Sequence, residues 1–162
     1  MSSSFTLTLR PVFWLGVGST ICKRAFVLGL AAPAWNVLTF VPQTFALAVE
    51  LTVRENVEDA DRRATRDDVA ALLVALDIAK LEHALPDAVS MGEQQRCAVA
   101  RALVGGPRVL LADEPTSHQD AGHADAVMQC LRAAAARGTA VVIASHDPRF
   151  TAVATLVVDL ET

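Results

Sequence analysis

Two unbroken apolar stretches fix most of what this chain can fold into. "RVLLAD" (Arg108–Asp113) and "AVVIAS" (Ala140–Ser145) show no alternation of apolar and polar residues. Strands of that composition need cover on both faces, which is the situation inside a mainly parallel sheet. "TLVVDL" (Thr155–Leu160) is a third candidate strand, and "VLTFVPQ" (Val37–Gln43) is a shorter fourth, stopped by Pro42. Parallel neighbours need helical crossovers, and helical patterns lie between the strands. Asp125 to Arg137 is alanine-rich, turns Val127, Met128 and Leu131 inward, and ends at Gly138, a C′ residue. Gln94 to Leu103 gathers Cys97, Ala98, Ala100, Ala102 and Leu103 into a small-residue helix. Asp67 to Ile78 sets Val69, Leu72, Leu73 and Leu76 on one stripe, with Asp67, Asp68 and Asp77 towards solvent or the ends. The alternation of helix and strand after residue 90 implies βαβ units with right-handed crossovers.

The segment Leu51 to Leu85 is charged and helical and contains no strand. It opens on a capping box, Thr52 to Glu55, and reads as a small helical lobe inserted into the α/β core. A chain of 162 residues, 52% hydrophobic and 20% charged, is globular and can bury one sizeable core. Its net charge of −4, with 5% aromatics and no tyrosine, argues against nucleic acid as the main partner. Cys22, Cys97 and Cys130 are odd in number and widely spaced, as expected of buried thiols in a reducing compartment. The apolar stretch from Pro11 to Trp35 is broken by Lys23 and Arg24, so no run reaches the roughly 18 residues of a membrane span. It also makes a poor signal peptide. The expectation is a cytoplasmic chain that meets a membrane only through a partner.

Polar residues cluster where the strands end. Asp113 and Glu114 close "VLLADEPTS" and His146 closes "VVIASHDP". Ligands of parallel α/β sheets sit at the carboxyl ends of strands. One carboxylate there can hold Mg²⁺ and a second can accept a proton from water. A histidine can hydrogen-bond a terminal phosphate. Taken singly, each also reads as an ordinary strand end before a turn. Gln43 ends its strand with an amide able to reach a metal or a water. In "VSMGEQQRCAVARAL", Ser90 and Glu93 stand at capping-box spacing, and Gly92 leaves the helix mouth open. A capped N-terminus with free amides is also an anion site. His83, His118 and His123 read as polar residues of loops or helix surfaces.

In this order and spacing the pieces resemble the ATP-binding cassette (ABC) ATPase family. "FVPQ" looks like its Q-loop and "VSMGEQQRCAVARAL" like its signature motif. "VLLADEPTSHQD" looks like Walker B with the D-loop, and "VVIASHD" like the H-loop. The wording "LADEPT" is similar to the exporter and lipoprotein-release branch. The resemblance covers Asn36 to Leu160. It implies an α/β, P-loop NTPase-like core with an ABC ATPase domain at 36–162 and a helical subdomain at 51–88. Residues 1–35 would be an atypical remnant of the Walker A region.

Roles follow from the resemblance. Asp113 would coordinate Mg²⁺, with Gln43 sensing metal and attacking water. Glu114 would be the general base, and His146 would contact the γ-phosphate of ATP. Asp120 would close the D-loop against a second ATPase subunit. Ser90, Gly92 and Glu93 would hold the γ-phosphate of ATP bound to that opposite subunit. A transmembrane permease subunit would dock around Gln43 to Glu58 and draw the chain to the inner face of the cell membrane.

The sequence departs from the family pattern at three places. Met91 replaces a glycine of the signature. His118 and Gln119 replace small and apolar D-loop residues. "LGVGSTI" (Leu15–Ile21) is the nearest approach to G-x-x-x-x-G-K-[ST] and has no lysine. The expected function is an ATP-hydrolysing subunit of an ABC transporter. The alternatives are a non-hydrolysing cassette acting as a regulatory half, and a soluble ABC ATPase without a transporter.

Overall fold

The computed structural model describes residues 3–6, 38–44 and 46–160. The "LGVGSTI" segment, Cys22 and all of the first 35 residues except Ser3–Thr6 lie outside the described residues. The described strands are β1 (Ser3–Thr6), β2 (Leu38–Val41), β3 (Val109–Asp113), β4 (Ala140–Ala144) and β5 (Val158–Leu160). They form one sheet in the order β2-β3-β4-β1-β5.

The central three strands are parallel, with Val41 opposite Ala112 and Asp113 opposite Ala144. Leu110, Ala112, Val141, Val142 and Ile143 are buried, which accounts for the unbroken apolar runs of β3 and β4. Two strands are shorter than their sequence patterns. Of the Val37–Gln43 candidate, Val37 lies outside the described residues, and the strand runs over Leu38–Val41 and stops at Pro42, which has no N–H to donate. The Thr155–Leu160 candidate pairs only over Val158–Leu160, because Leu156 and Val157 face solvent. β1 runs antiparallel between β4 and β5, with Phe5 opposite both Ala144 and Val158.

Between β2 and β3 come α1 (Val53–Glu58), α2 (Arg66–Ala75), the 3₁₀ turns Ala79–Leu81 and Pro86–Ala88, and α3 (Met91–Leu103). α4 (Ala121–Ala136) connects β3 to β4, and α5 (Pro148–Val153) follows β4. α1, α2 and α3 each begin with a full capping box: Thr52 with Glu55, Thr65 with Asp68, and Ser90 with Glu93. α3 begins at Met91, as the Ser90–Glu93 capping box indicates, and α4 begins at Ala121 rather than Asp125, because Asp120 caps it. α4 ends at Ala136, and Gly138 takes the left-handed turn at φ +102°.

α3 is the central helix of the fold. Its residues from Gln95 to Ala100 are all buried. Val53, Val57, Val69, Leu73, Leu76 and Ile78 of the lobe join Val99, Leu103, Leu110 and Val141 in one continuous apolar core. The lobe therefore does not fold around a core of its own. Cys97 is fully buried in this core, and burial pushes its thiol up to about 12. Burial also raises Cys130. Among the described residues no helix is long and apolar enough to cross a membrane.

Candidate functional site

Parallel pairing brings the ends of β2, β3 and β4 to one edge of the sheet. Gln43 lies two residues beyond Val41, Glu114 follows Asp113, and Ser145 and His146 follow Ala144. Gln43 is exposed in a bend, and Asp113 is half-buried. Glu114 is the focus of this edge. Its backbone turns into the left-handed region at φ +47°, where a side chain is strained. The turn is held on both sides. The Glu114 N–H donates to the Ala144 carbonyl at 2.7 Å, and the Glu114 carbonyl accepts from the Gln95 amide at 2.6 Å.

The carboxylate is held as firmly as the backbone. Ser145 Oγ donates to Glu114 Oε2, and the His146 N–H donates to Oε1, both at 2.8 Å. The His146 ring stands 3.9 Å from Oε1 and is 69% exposed, against 18% for the Glu114 side chain. A carboxylate has about four acceptor positions, so two held positions leave room for a proton from water. Thr116 Oγ1 donates to Asp147 Oδ2 at 3.1 Å, fastening the following turn to the start of α5. Burial alone would raise the Asp147 carboxyl, but Arg149 and the Thr116 hydroxyl outweigh it and hold it below the usual range.

The second group of residues surrounds the mouth of α3. Glu93 Oε2 accepts from the Ser90 N–H and from Ser90 Oγ, each at 2.7 Å. The Ser90 hydroxyl, then the Ser90 amide, hold the Glu93 carboxyl below its ordinary value. A Cβ at Gly92 would lie 2.6 Å from the His118 carbonyl oxygen. Glycine is therefore required there by the chain's own backbone, whatever else approaches the turn. Met91, beside it, is exposed.

A buried amide cluster joins the two groups. Gln95 is fully buried and reaches the Glu114 carbonyl with its nitrogen. Its Oε1 accepts from the His118 N–H and from Gln119 Nε2, both at 3.3 Å. Gln119 Nε2 also donates to the Gly92 carbonyl at 2.8 Å, while its Oε1 accepts from Arg96 Nη1 at 2.6 Å. Asp120 caps α4 by accepting from the His123 N–H at 2.9 Å. The His123 amide, then its ring, hold Asp120 below its ordinary value. The same ring lies 3.3 Å from Asp77 at the end of the lobe. His123 thus bridges lobe and core and is more than a helix-surface residue.

Gln95 and Ser145 lie within the signature-like and H-loop-like stretches, but those motifs imply no role for either. Ser145 closes an apolar strand, and Gln95 stands inside a helix; only the fold reveals what each meets. Among the described residues no group of three or more His, Cys, Asp or Glu is placed to hold a metal.

Residues 33–117 match the family model described as ABC transporter. The chain belongs to the ABC transporter ATPase family. It is 36% identical to the macrolide export ATP-binding/permease protein MacB 1/2 of Paracoccus denitrificans, over 98% of this chain and 23% of that protein. It is 38% identical to the lipoprotein-releasing system ATP-binding protein LolD of Shewanella oneidensis, over 71% of this chain and 53% of that protein. The chain thus spans about half or less of these relatives. The fold is similar to the dimeric post-hydrolysis ATP-binding cassette MJ0796 bound to ADP and Pi. That match has a TM-score of 0.65 and 32% identity, and covers 71% of this chain and 54% of that one.

Proposed function

We propose that this chain is an ATP-hydrolysing subunit of an ABC transporter, working with a second cassette and a membrane permease. The observation that carries the reading is Glu114. It is a strained, half-buried carboxylate at the carboxyl end of β3, aimed by two donors from the end of the neighbouring strand. Strain and orientation of that kind suit a general base. Asp113, with the Gln43 amide, would hold Mg²⁺ with ATP phosphates; when bound, the metal would stabilise charge on the phosphates. Glu114 would take the proton of the attacking water, and His146 would face the γ-phosphate. Ser90, Gly92 and Glu93 would meet the γ-phosphate of ATP on the opposite subunit, and Asp120 would meet that subunit's D-loop. The unit 36–162 would form the cassette, with 51–88 as its helical subdomain. A cleft of about 370 Å³ beside β2 and α1, lined by Phe40, Ala48, Leu51, Asp59 and Arg101, would receive the permease and keep the chain on the inner face of the membrane. The names of MacB and LolD favour export.

Glu114→Gln tests this reading. In an assembly that hydrolyses ATP through this Walker B, turnover should fall about 10²–10⁴-fold with nucleotide binding retained. Unchanged turnover would remove Glu114 from the role. One sequence feature favours a second reading, a non-hydrolysing cassette: "LGVGSTI" lacks the lysine that reaches the β- and γ-phosphates. On that reading the 162-residue chain alone binds ATP·Mg²⁺ weakly in isothermal titration. Micromolar binding would contradict it.

A further inference from the structure

Gln119 stands where the resemblance expects an apolar D-loop residue, and both ends of its amide are hydrogen-bonded. Its nitrogen donates to the Gly92 carbonyl at 2.8 Å and to Gln95 Oε1 at 3.3 Å. Its oxygen accepts from Arg96 Nη1 at 2.6 Å. Gln95, fully buried, carries the link onward to the Glu114 carbonyl at 2.6 Å. Two amide side chains therefore span the distance from the signature turn to the strained turn that bears Glu114. The packing leaves no slack along this path, since Gly92 has no room for a Cβ against the His118 carbonyl.

We propose that Gln119 is a positioning residue for the hydrolysis assigned above, clamping the signature turn to the Glu114 turn so that both move as one body. The inference rests on that functional reading and adds to it a route by which contact at Ser90–Glu93 reaches Glu114 within the same chain. The chemistry demands an amide. The clamp needs a donor towards Gly92 and an acceptor towards Arg96 on one side chain. Leucine supplies neither, and glutamate supplies only the acceptor.

Gln119→Glu separates clamping from folding. The carboxylate keeps the contact with the buried Arg96 guanidinium and gains charge complementarity, but it cannot donate to the Gly92 carbonyl or to Gln95 Oε1. Gln119→Leu removes all three bonds. The measurements are urea midpoints, amide hydrogen exchange of the full chain, and steady-state ATP turnover in an assembly that hydrolyses ATP through this Walker B. For Gln119→Glu the strengthened Arg96 contact should offset most of the two lost donations, and we expect a midpoint near wild type. Exchange should be about tenfold faster at residues 91–95 and 114–118, with β3 and β4 unchanged. In turnover, kcat should fall about tenfold while the KM for ATP stays within about twofold. Gln119→Leu should lose the same kcat and also some stability. Unchanged exchange and kcat in Gln119→Glu would overturn the proposal, as would a kcat loss that only follows loss of folded protein. An inactive wild-type assembly would refute the functional reading instead, and the exchange measurement would still decide whether the clamp exists.

Discussion

Replacing Gln95 by methionine keeps its length and volume and removes its hydrogen bonds. The structure allows the cost to be worked group by group. The bond from Nε2 to the Glu114 carbonyl is short at 2.6 Å, and its loss costs about 1–1.5 kcal/mol. That carbonyl does not become an orphan, because it also accepts from the Ser117 N–H at 3.2 Å. The two bonds to Oε1 are long, at 3.3 Å each. His118 is exposed, so water can replace the first, and Gln119 Nε2 keeps its bond to Gly92. Together they add about 0.5–1 kcal/mol. The expected loss is about 2 kcal/mol, a large share of the roughly 5–15 kcal/mol of a typical domain. In urea, with a slope of about 2 kcal/mol/M, the midpoint of Gln95→Met should fall by about 1 M at unchanged slope. The His118 amide should exchange faster than in wild type. A midpoint shift below about 0.25 M would mean that Gln95 is dispensable, and the link from α3 to the Glu114 turn would lose its energetic basis.

Acid should unfold the chain through its caps. Glu55, Asp68 and Glu93 are all held below their ordinary values, mainly by the Thr or Ser that each one caps, and Asp61 is held at about 2 by Arg63. A depressed carboxyl contributes stability above its unfolded value, and the contribution is lost as pH falls through the folded value. The urea midpoint should thus be level down to about pH 5 and decline below the ordinary values of 4.5 and 3.8, less steeply in Ser90→Ala. A midpoint unchanged at pH 3 would contradict this. Ser90→Arg should abolish ATP-driven association with a cassette carrying an intact P-loop while leaving the monomer folded. Equal dimer formation by gel filtration with ATP·Mg²⁺ would exclude a role for the α3 mouth in that interface.

Much of the sheet was legible because β3 and β4 state their environment in composition. A run such as Val141, Val142 and Ile143 has no polar face to show to water, so it must be central. Register then follows from parallel pairing, and with it the shared edge of Gln43, Glu114 and His146. β1 was not legible, since "SSFT" has neither length nor periodicity and is held only by partners distant in sequence. The Ser90–Glu93 spacing marks the start of α3, whereas apolar periodicity alone places the start of α4 four residues late, because the cap at Asp120 carries no apolar signal. The cap is local chemistry, while the first turn of a helix contributes little to the apolar stripe.

The candidate site divides along the same line. Carboxylates and histidines at strand ends can be found in a sequence because their position follows from a local pattern. The amides at Gln95 and Gln119 cannot, because each one acts on a backbone group 19 to 27 residues away. A glutamine inside "GEQQRCAV" has the helix propensity of its neighbours, and nothing local distinguishes the exposed side from the buried one. Burial distinguishes them. Gln95 faces the core side of α3, where an unpaired amide would be costly, so a partner of opposite hydrogen-bonding sense must exist nearby. The turn after β3 supplies it with the Glu114 carbonyl. That turn is left-handed, and such a conformation persists only when its surroundings over-determine it. The buried amide and the strained glutamate are thus one feature. The helix that presents the signature turn is also what holds Glu114 in the conformation that aims its carboxylate at the edge of the sheet.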